Sequence, residues 1–326
     1  MKVRINTSAR LHLGFYNFRK GDRVYGSIGV AIDKPVLDVV IEPLEEKRIE
    51  VVSRQDIEDV IRRVKQVFNV GARIYVHSYI PRHVGLGSTT QLALAIGVGL
   101  SLITQHQAEI DVYDIAAKLG RGLVSGIGVA TFKYGGFVVD CGRRVYGDRL
   151  ELPRSASDVP QPIIQHRLPK DWRFVVIVPR TSKPRVSEDR ELQIMQPPAN
   201  VPETLQYELY AALLLEMLPA LWKGDIEGFG KALTRIQILT GKFFEPLQGG
   251  VFCCRETEAV IKVFNELGVY GYGQSSWGPV AYGLVDIDRS ERVFIRCMER
   301  LKELGIDVEY ATIATPRNDG AKIYLT

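Results

Sequence analysis

Apolar and polar residues alternate through Lys2-Val3-Arg4-Ile5-Asn6, a period of two that predicts a strand; the mainly apolar run at 36–42 reads as a second, with Val51 and Val52 part of another. Ile57, Ile61, Val64 and Phe68 recur at helical spacing and predict an amphipathic helix, with a strand to follow at 72–79. A glycine loop at 85–87 then opens a long apolar helix over about 88–104, and a second helix covers 111–119. Strand, loop and helix in this order describe an α+β half.

Between Leu152 and Pro169 stand Pro153, Pro160, Pro162 and Pro169, a density that should end regular structure and join two lobes. The boundary is placed near 165, giving lobes 1–165 and 166–326. Beyond it, Phe174 to Val178 reads as a buried strand, and 183–202 as a long polar, Pro-bearing loop of a length that suits a cover over a site. Two helices are expected at 203–221 and 225–240, broken at Gly224-Asp225, then a helix at 255–267, strands near 269–272 and 279–285, a helix at 289–304 and a strand at 307–312. This alternation suits a small antiparallel sheet backed by helices, a ferredoxin-like arrangement.

Composition narrows the function classes. With 46% hydrophobic and 25% charged residues in 326, the chain can bury a sizeable core. The net charge of +4 is scattered, which predicts no nucleic-acid partner; Arg180, Lys183 and Arg185 would serve a phosphate or simply a solvated loop. The longest apolar run, Leu92 to Ile103, is short of the ~20 residues that span a bilayer, so no membrane segment is expected. Cys141, Cys253, Cys254 and Cys297 lack zinc-site spacing and read as reduced residues of a cytoplasmic protein, a disulfide being tolerated if the source is a hyperthermophile.

The strongest local signal is Pro81-Arg82-His83-Val84-Gly85-Leu86-Gly87-Ser88-Thr89-Thr90-Gln91. Gly85 and Gly87 would let backbone N–H groups approach an anion, and Ser88 would cap a helix whose positive end faces it. A tight turn with a serine cap is the plainer alternative. It is not a Walker A loop, since G-K-S/T is missing. Arg10 and His12, two apart on an apparent strand, share a face; His12 would move a proton near neutral pH or be structural. Arg121 and Lys133 flank Ser125-Gly126-Ile127-Gly128 and Gly135-Gly136, where they would meet an anion or form surface ion pairs. Trp277, in Gln274-Ser275-Ser276-Trp277-Gly278-Pro279, offers a stacking face for a flat aromatic ligand or else covers a sheet edge.

The run P-x-x-x-G-L-G-S-T resembles the phosphate-binding motif of the GHMP kinases, the group of galactokinase, homoserine kinase, mevalonate kinase and phosphomevalonate kinase. The resemblance implies a two-lobed fold, an N-terminal α+β lobe followed by a ferredoxin-like lobe. Several of these kinases carry S-G-x-D, the Asp serving the substrate hydroxyl, whereas here Gly128 stands in its place. Homoserine kinases manage without it, so the departure weakens a kinase reading without ending it.

Arg10-Leu11-His12, G-L-G-S-T, R-G-x-x-S-G-I-G, Gly135 to Asp140, and Q-S-S-W-G-P together resemble the β-ribofuranosylaminobenzene 5′-phosphate synthase family. That family condenses phosphoribosyl pyrophosphate with 4-aminobenzoate, releasing pyrophosphate and carbon dioxide, in archaeal methanopterin-type cofactor synthesis. The resemblance implies a pentosyltransferase acting on a phosphosugar and an aromatic acid, 4-aminobenzoate or its 4-hydroxy analogue, with Mg²⁺ and as a homodimer. Phosphate would be held by Gly85, Leu86, Gly87, Ser88, Thr89, Arg121, Ser125 and Gly126, and the aromatic substrate by Gln274, Ser275, Ser276 and Trp277. Arg10, His12 and Asp140 are the catalytic candidates, with Ser88 and Asp140 for the metal. An ATP-dependent small-molecule kinase and a non-catalytic ligand-binding regulator of the same fold are the competing functions.

Overall fold

The computed structural model describes residues 1–105, 110–145, 147, 149–186, 188–196, 198 and 200–325. A long hairpin, β1 (Val3–Lys20) and β2 (Arg23–Pro43), founds the first lobe. β3 (Ile49–Val52), α1 (Glu58–Val67) and β4 (Ala72–Ser78) extend its sheet, followed by helices α2 (Ser88–Gln105), α3 (Val112–Lys118) and α4 (Ile127–Tyr134). β5 (Phe137–Asp140), β6 (Arg143–Arg144) and β7 (Pro162–His166) complete this part. The sheet runs in the order β12-β1-β2-β4-β3, with β5 and β6 on β2 and β7 on β5; β12 (Lys322–Leu325) returns from the far end of the chain to pair with β1.

The second sheet holds β8 (Trp172–Pro179), β9 (Gly271–Gln274), β10 (Ala281–Asp286) and β11 (Val308–Ala314) in the order β11-β8-β10-β9, all antiparallel. With α9 (Arg255–Glu266) between β8 and β9, and α10 (Ile287–Glu303) between β10 and β11, this is the expected ferredoxin-like order. Between β8 and α9 lie α5 (Glu188–Ile194), α6 (Glu203–Ala211), a π-helical stretch over 212–217, α7 (Leu218–Lys223) and α8 (Ile226–Gln248).

Alternation along β8 explains how two cores meet at one sheet. Phe174, Val176 and Val178 join a core that reaches through both lobes to Leu11, Val30 and Leu94. Val175 and Ile177 face the other way and pack with Val260, Phe264, Val293 and Leu301 of α9 and α10. Because the first core is continuous, the lobes are seated on shared apolar packing.

Several expectations are corrected. The strands at 2–6 and 36–42 are the ends of a far longer hairpin whose register shifts at Ser8/Arg10, His12/Gly14 and Phe15/Asn17; each shift breaks the period of two. β7 forms within the proline-rich stretch because Pro162 opens the strand and needs to donate no ladder bond there. The 183–202 segment contains α5, and α8 runs past residue 240 to Gln248, with Gly241 inside it at a close approach where a Cβ would stand 2.3 Å from the Val251 carbonyl. α4 escapes sequence periodicity because residues 127–132 are all buried, leaving no polar face. No helix among the described residues is long and apolar enough to cross a membrane, and the four cysteines are free thiols.

Gly29 fixes how closely α4 sits on β2, since an added Cβ would lie 2.2 Å from Ile127 Cγ2 and 2.8 Å from the Leu11 carbonyl. Gly29→Ala is therefore expected to lower unfolding free energy by about 1–3 kcal/mol, measured by urea denaturation; an unchanged midpoint would show that α4 is free to shift.

Candidate functional site

The loop between β4 and α2 turns sharply because His83, Gly85 and Gly87 all take positive φ (57°, 95° and 79°). Val84 and Leu86 point into the core and anchor it, while Ser88, Thr89 and Thr90 open α2 at the loop's mouth. Both glycines are required by what packs on them. A Cβ on Gly85 would lie 2.1 Å from the Ser275 carbonyl, and one on Gly87 would lie 3.1 Å from Arg10 Cγ.

The second lobe reaches this loop through Ser275. Its hydroxyl donates to the Gly85 carbonyl (2.6 Å) and accepts from the His12 backbone N–H (2.8 Å). The Val280 N–H adds a bond to the Val84 carbonyl at 3.1 Å. Gln274 holds the same turn from within: its side chain accepts from Cys253 N–H (2.7 Å) and donates to the Ser276 carbonyl (2.9 Å). Gln274 and Ser275 thus spend their polar groups on protein, while Ser276, at φ 55°, and Trp277 line the space beyond.

That space is two adjoining compartments. One lies over Gly85, Gly87, Ser88 and Thr89. The other is a partly open cavity between the lobes with apolar walls from Phe15, Leu192, Phe244 and Phe252 and polar groups from His12, Arg121, Gln237 and Gln248. Arg10, Thr90, Glu191, Ser276 and Trp277 border both. Arg10 donates to the Gly85 carbonyl through Nη1, and its buried Nε has no hydrogen-bond partner. Burial draws its pKa down to about 10, with Glu191 pulling the other way, so it is a cation at neutral pH.

His12 lies on the cavity wall, and its Nδ1 accepts from the Gly14 N–H at 3.3 Å. The remaining proton is therefore on Nε2, which is buried and without a hydrogen-bond partner. Burial, and then the charge of Arg10, lower its pKa to about 3. Of the two roles expected from the sequence, proton carrier or structural residue, a neutral imidazole held this deeply fits the second better, and its Nε2–H is left as an unmet buried donor on a residue of the cavity wall.

The remaining candidates separate. Asp140 does not line the cavity; it is fully buried and accepts from the N–H groups of Ser27 (3.0 Å), Gly142 (2.9 Å) and Gly126 (2.8 Å). Burial raises its pKa to about 7 against these donors. Its geometry is that of a backbone brace, which corrects the metal-ligand and catalytic reading. Gly126 is likewise corrected, its N–H being spent on Asp140, and Leu86 contributes only its backbone, the carbonyl accepting from Arg10 N–H. Ser125 and Arg121 line the cavity, with Arg121 Nε donating to the Leu119 carbonyl at 3.2 Å. Lys133 lies 5.3 and 5.1 Å from the Tyr113 and Tyr134 ring centres, away from the cavity.

Trp277 meets Phe244 edge-on, with ring centres 5.0 Å apart, and donates from Nε1 to Glu191 (3.1 Å). It ties α5 to the cavity, and Glu191 and Leu192 of that helix, within the segment expected to cover a site, are part of the cavity wall. Glu191, Gln237 and Phe244 went unmarked in the sequence, since helices α5 and α8 bring them in by tertiary packing and no local motif attends them. Gly128 borders the cavity, with Thr90 Cγ2 3.0 Å from where its Cβ would be. No group of three or more His, Cys, Asp or Glu side chains gathers as a metal site among the described residues.

Comparison with known proteins follows the same outline. The family described as GHMP kinases N terminal domain matches residues 55–136, and GHMP kinases C terminal matches 217–302. The chain is 34% identical to a beta-ribofuranosylphenol 5′-phosphate synthase of Archaeoglobus fulgidus over 98% of this chain and 99% of that protein. It is 32% identical to one of Methanothermobacter thermautotrophicus over 86% and 88% respectively. Among solved structures, a homoserine kinase from Cytophaga hutchinsonii superposes with a TM-score of 0.71 at 17% identity, covering 99% of this chain and 97% of that one, a likeness of fold.

The neutrality of His12 has a thermodynamic signature. Its folded pKa lies below the unfolded value of 6.5, so its stabilising contribution is complete above that pH and is lost as pH falls towards 3. Between pH 7 and pH 5 the wild type should lose about 2 kcal/mol more unfolding free energy than His12→Gln in urea titrations. Equal losses would mean that His12 titrates in the folded protein as it does in the unfolded chain.

Proposed function

The chain belongs to the beta-ribofuranosylphenol 5′-phosphate synthase family, within the GHMP kinase fold, and on that premise we propose a pentosyltransferase joining phosphoribosyl pyrophosphate to 4-hydroxybenzoate. Pyrophosphate and carbon dioxide are released, and the product is a ribofuranosylphenol 5′-phosphate on the route to methanopterin-type cofactors. Of the two aromatic acids left open by the sequence, the relatives' names favour the 4-hydroxy compound.

The observation that carries this reading is the adjacency of two unlike compartments with a part-buried cation, Arg10, between them. An anionic leaving group suits the glycine loop and the start of α2, where helix polarity and backbone N–H groups favour negative charge. A flat ring suits the aromatic cavity. The carboxylate-bearing ring carbon then attacks the sugar's anomeric carbon as its bond to pyrophosphate breaks, and carbon dioxide leaves to restore aromaticity. Arg10 counters the growing pyrophosphate charge, and the His12 Nε2–H donates to an oxygen of the aromatic acid. Arg121 brings a second cation to the cavity wall for a carboxylate or phosphate.

A divalent cation such as Mg²⁺ would be held chiefly by pyrophosphate oxygens, with the Ser88 hydroxyl and the Glu191 carboxylate as the protein oxygens bordering the loop compartment; it would supply charge neutralisation. Glu191 takes the place that the sequence gave to Asp140. No side chain at Gly128 is available to activate a substrate hydroxyl, which favours the transferase over a kinase that relies on a base there.

The test supplies purified protein with either phosphoribosyl pyrophosphate and 4-hydroxybenzoate or ATP and a panel of alcohols. Pyrophosphate and carbon dioxide in equal amounts from the first mixture alone support the transferase; ADP from the second supports a kinase, and binding without turnover in either supports a regulator. Gly87→Ala forces a methyl group against Arg10 and strains a positive φ, so it should raise the KM for phosphoribosyl pyrophosphate about tenfold. Initial-rate kinetics should show the KM for the aromatic acid much less affected; the opposite pattern would move Arg10 to the aromatic site.

A further inference from the structure

Behind the Trp277 turn lies a third, smaller pocket that the reaction above does not use, lined by Thr181, Lys183, Arg185, Cys253, Cys254 and Gly278 among others. Cys253 and Cys254 are neighbours in sequence, and their sulfurs lie 3.2 Å apart. Cys253 is buried while Cys254 is part-exposed. Thr257 Oγ1 stands 3.3 and 3.2 Å from the two sulfurs and gives its own proton to the Pro279 carbonyl at 2.8 Å. Lys183 Nζ donates to the Cys253 carbonyl at 2.6 Å, bringing a positive charge to the pair.

We propose that Cys253 and Cys254 form a redox-active vicinal dithiol that exchanges with low-molecular-weight disulfides and closes to a Cys253–Cys254 disulfide beneath the Trp277 turn. Three features support it. Cys254 is the N-cap of the twelve-residue helix α9, a position that favours a thiolate. The hydrogen bond shared with Cys253 is the main cause that holds its pKa below the ordinary thiol value, against burial. The resolving sulfur is already in contact.

The Cys254 thiolate attacks one sulfur of R–S–S–R; that S–S bond breaks and R–S⁻ leaves. Cys253 gives its proton to solvent and attacks the Cys254 sulfur, releasing the second R–S⁻. The protein pair is oxidised by two electrons, and the small disulfide is reduced to two thiols. Closure must shorten the 3.2 Å separation to about 2.05 Å, across a Cα–Cα distance of about 3.8 Å that is tighter than disulfides prefer. Such a strained bond is readily reduced, which makes the site reversible.

Closure also bears on the main cavity. Cys253 Sγ lies 2.6 Å from where a Cβ on Gly278 would stand, and Gly278 follows Trp277 directly. Moving that sulfur disturbs the turn whose indole holds Glu191. The inference about the thiols does not depend on the proposed reaction, since its test reads mass and label.

The full-length protein is incubated with glutathione disulfide at neutral pH, denatured in N-ethylmaleimide and digested for mass spectrometry. The expected result is a peptide carrying residues 253 and 254 that is two hydrogens lighter, unlabelled, and restored to double labelling by dithiothreitol, with Cys297 labelled throughout. Cys253→Ser should instead trap a glutathione adduct on Cys254, and Cys254→Ser should react at least about tenfold more slowly. A doubly labelled wild-type peptide, or a stable adduct on Cys254 with no ring closure, would overturn the proposal.

Discussion

The Ser275 hydroxyl is the joint on which the rest of the site depends. One oxygen accepts the N–H of His12 on β1 and donates to the carbonyl of Gly85 on the glycine loop, so a strand and a loop of one lobe are registered by a turn of the other. The Ser275 carbonyl occupies the room that a side chain at residue 85 would need. Because these groups are buried, leaving any of them unpaired is costly, and the arrangement has little freedom to drift. Arg10, laid across Gly87, and His12, facing the cavity, take their positions from that joint.

The geometry also changes how the glycine loop is understood. The sequence offered backbone access to phosphate as the reason for two glycines. The structure supplies a nearer reason, that Ser275 and the Arg10 side chain already fill the space around them, while the loop takes positive φ at both glycines. An anion at this loop would therefore meet a cation fixed by the same glycines that shape the turn. In the proposed reaction His12 would complement this from the other compartment as an uncharged donor, where a second full charge would be expensive to bury.

How much was legible depended on how local the signal was. The glycine loop, the apolar α2 and the ferredoxin-like alternation were readable because each is written in consecutive residues. The length of β1 and β2 was not, since bulges interrupt the alternation at the stretch carrying Arg10 and His12, although their shared face survived. Asp140 drew notice as an acid beside a strand, and only the fold reveals that three backbone N–H groups occupy it. Glu191 and Phe244 carry no motif, and they enter through the packing of α5 and α8 around Trp277.

The central claim is that a neutral His12 presents Nε2–H to the cavity as a binding donor. Nitrogen-15 NMR of histidine-labelled protein tests it most directly, with pyrophosphate present and 4-hydroxybenzoate added in steps. The account predicts a His12 ring protonated at Nε2 alone from pH 7 to pH 5, with that resonance moving as the aromatic acid binds. A ring that titrates near its ordinary pKa, or an Nε2 signal indifferent to the acid, would contradict it.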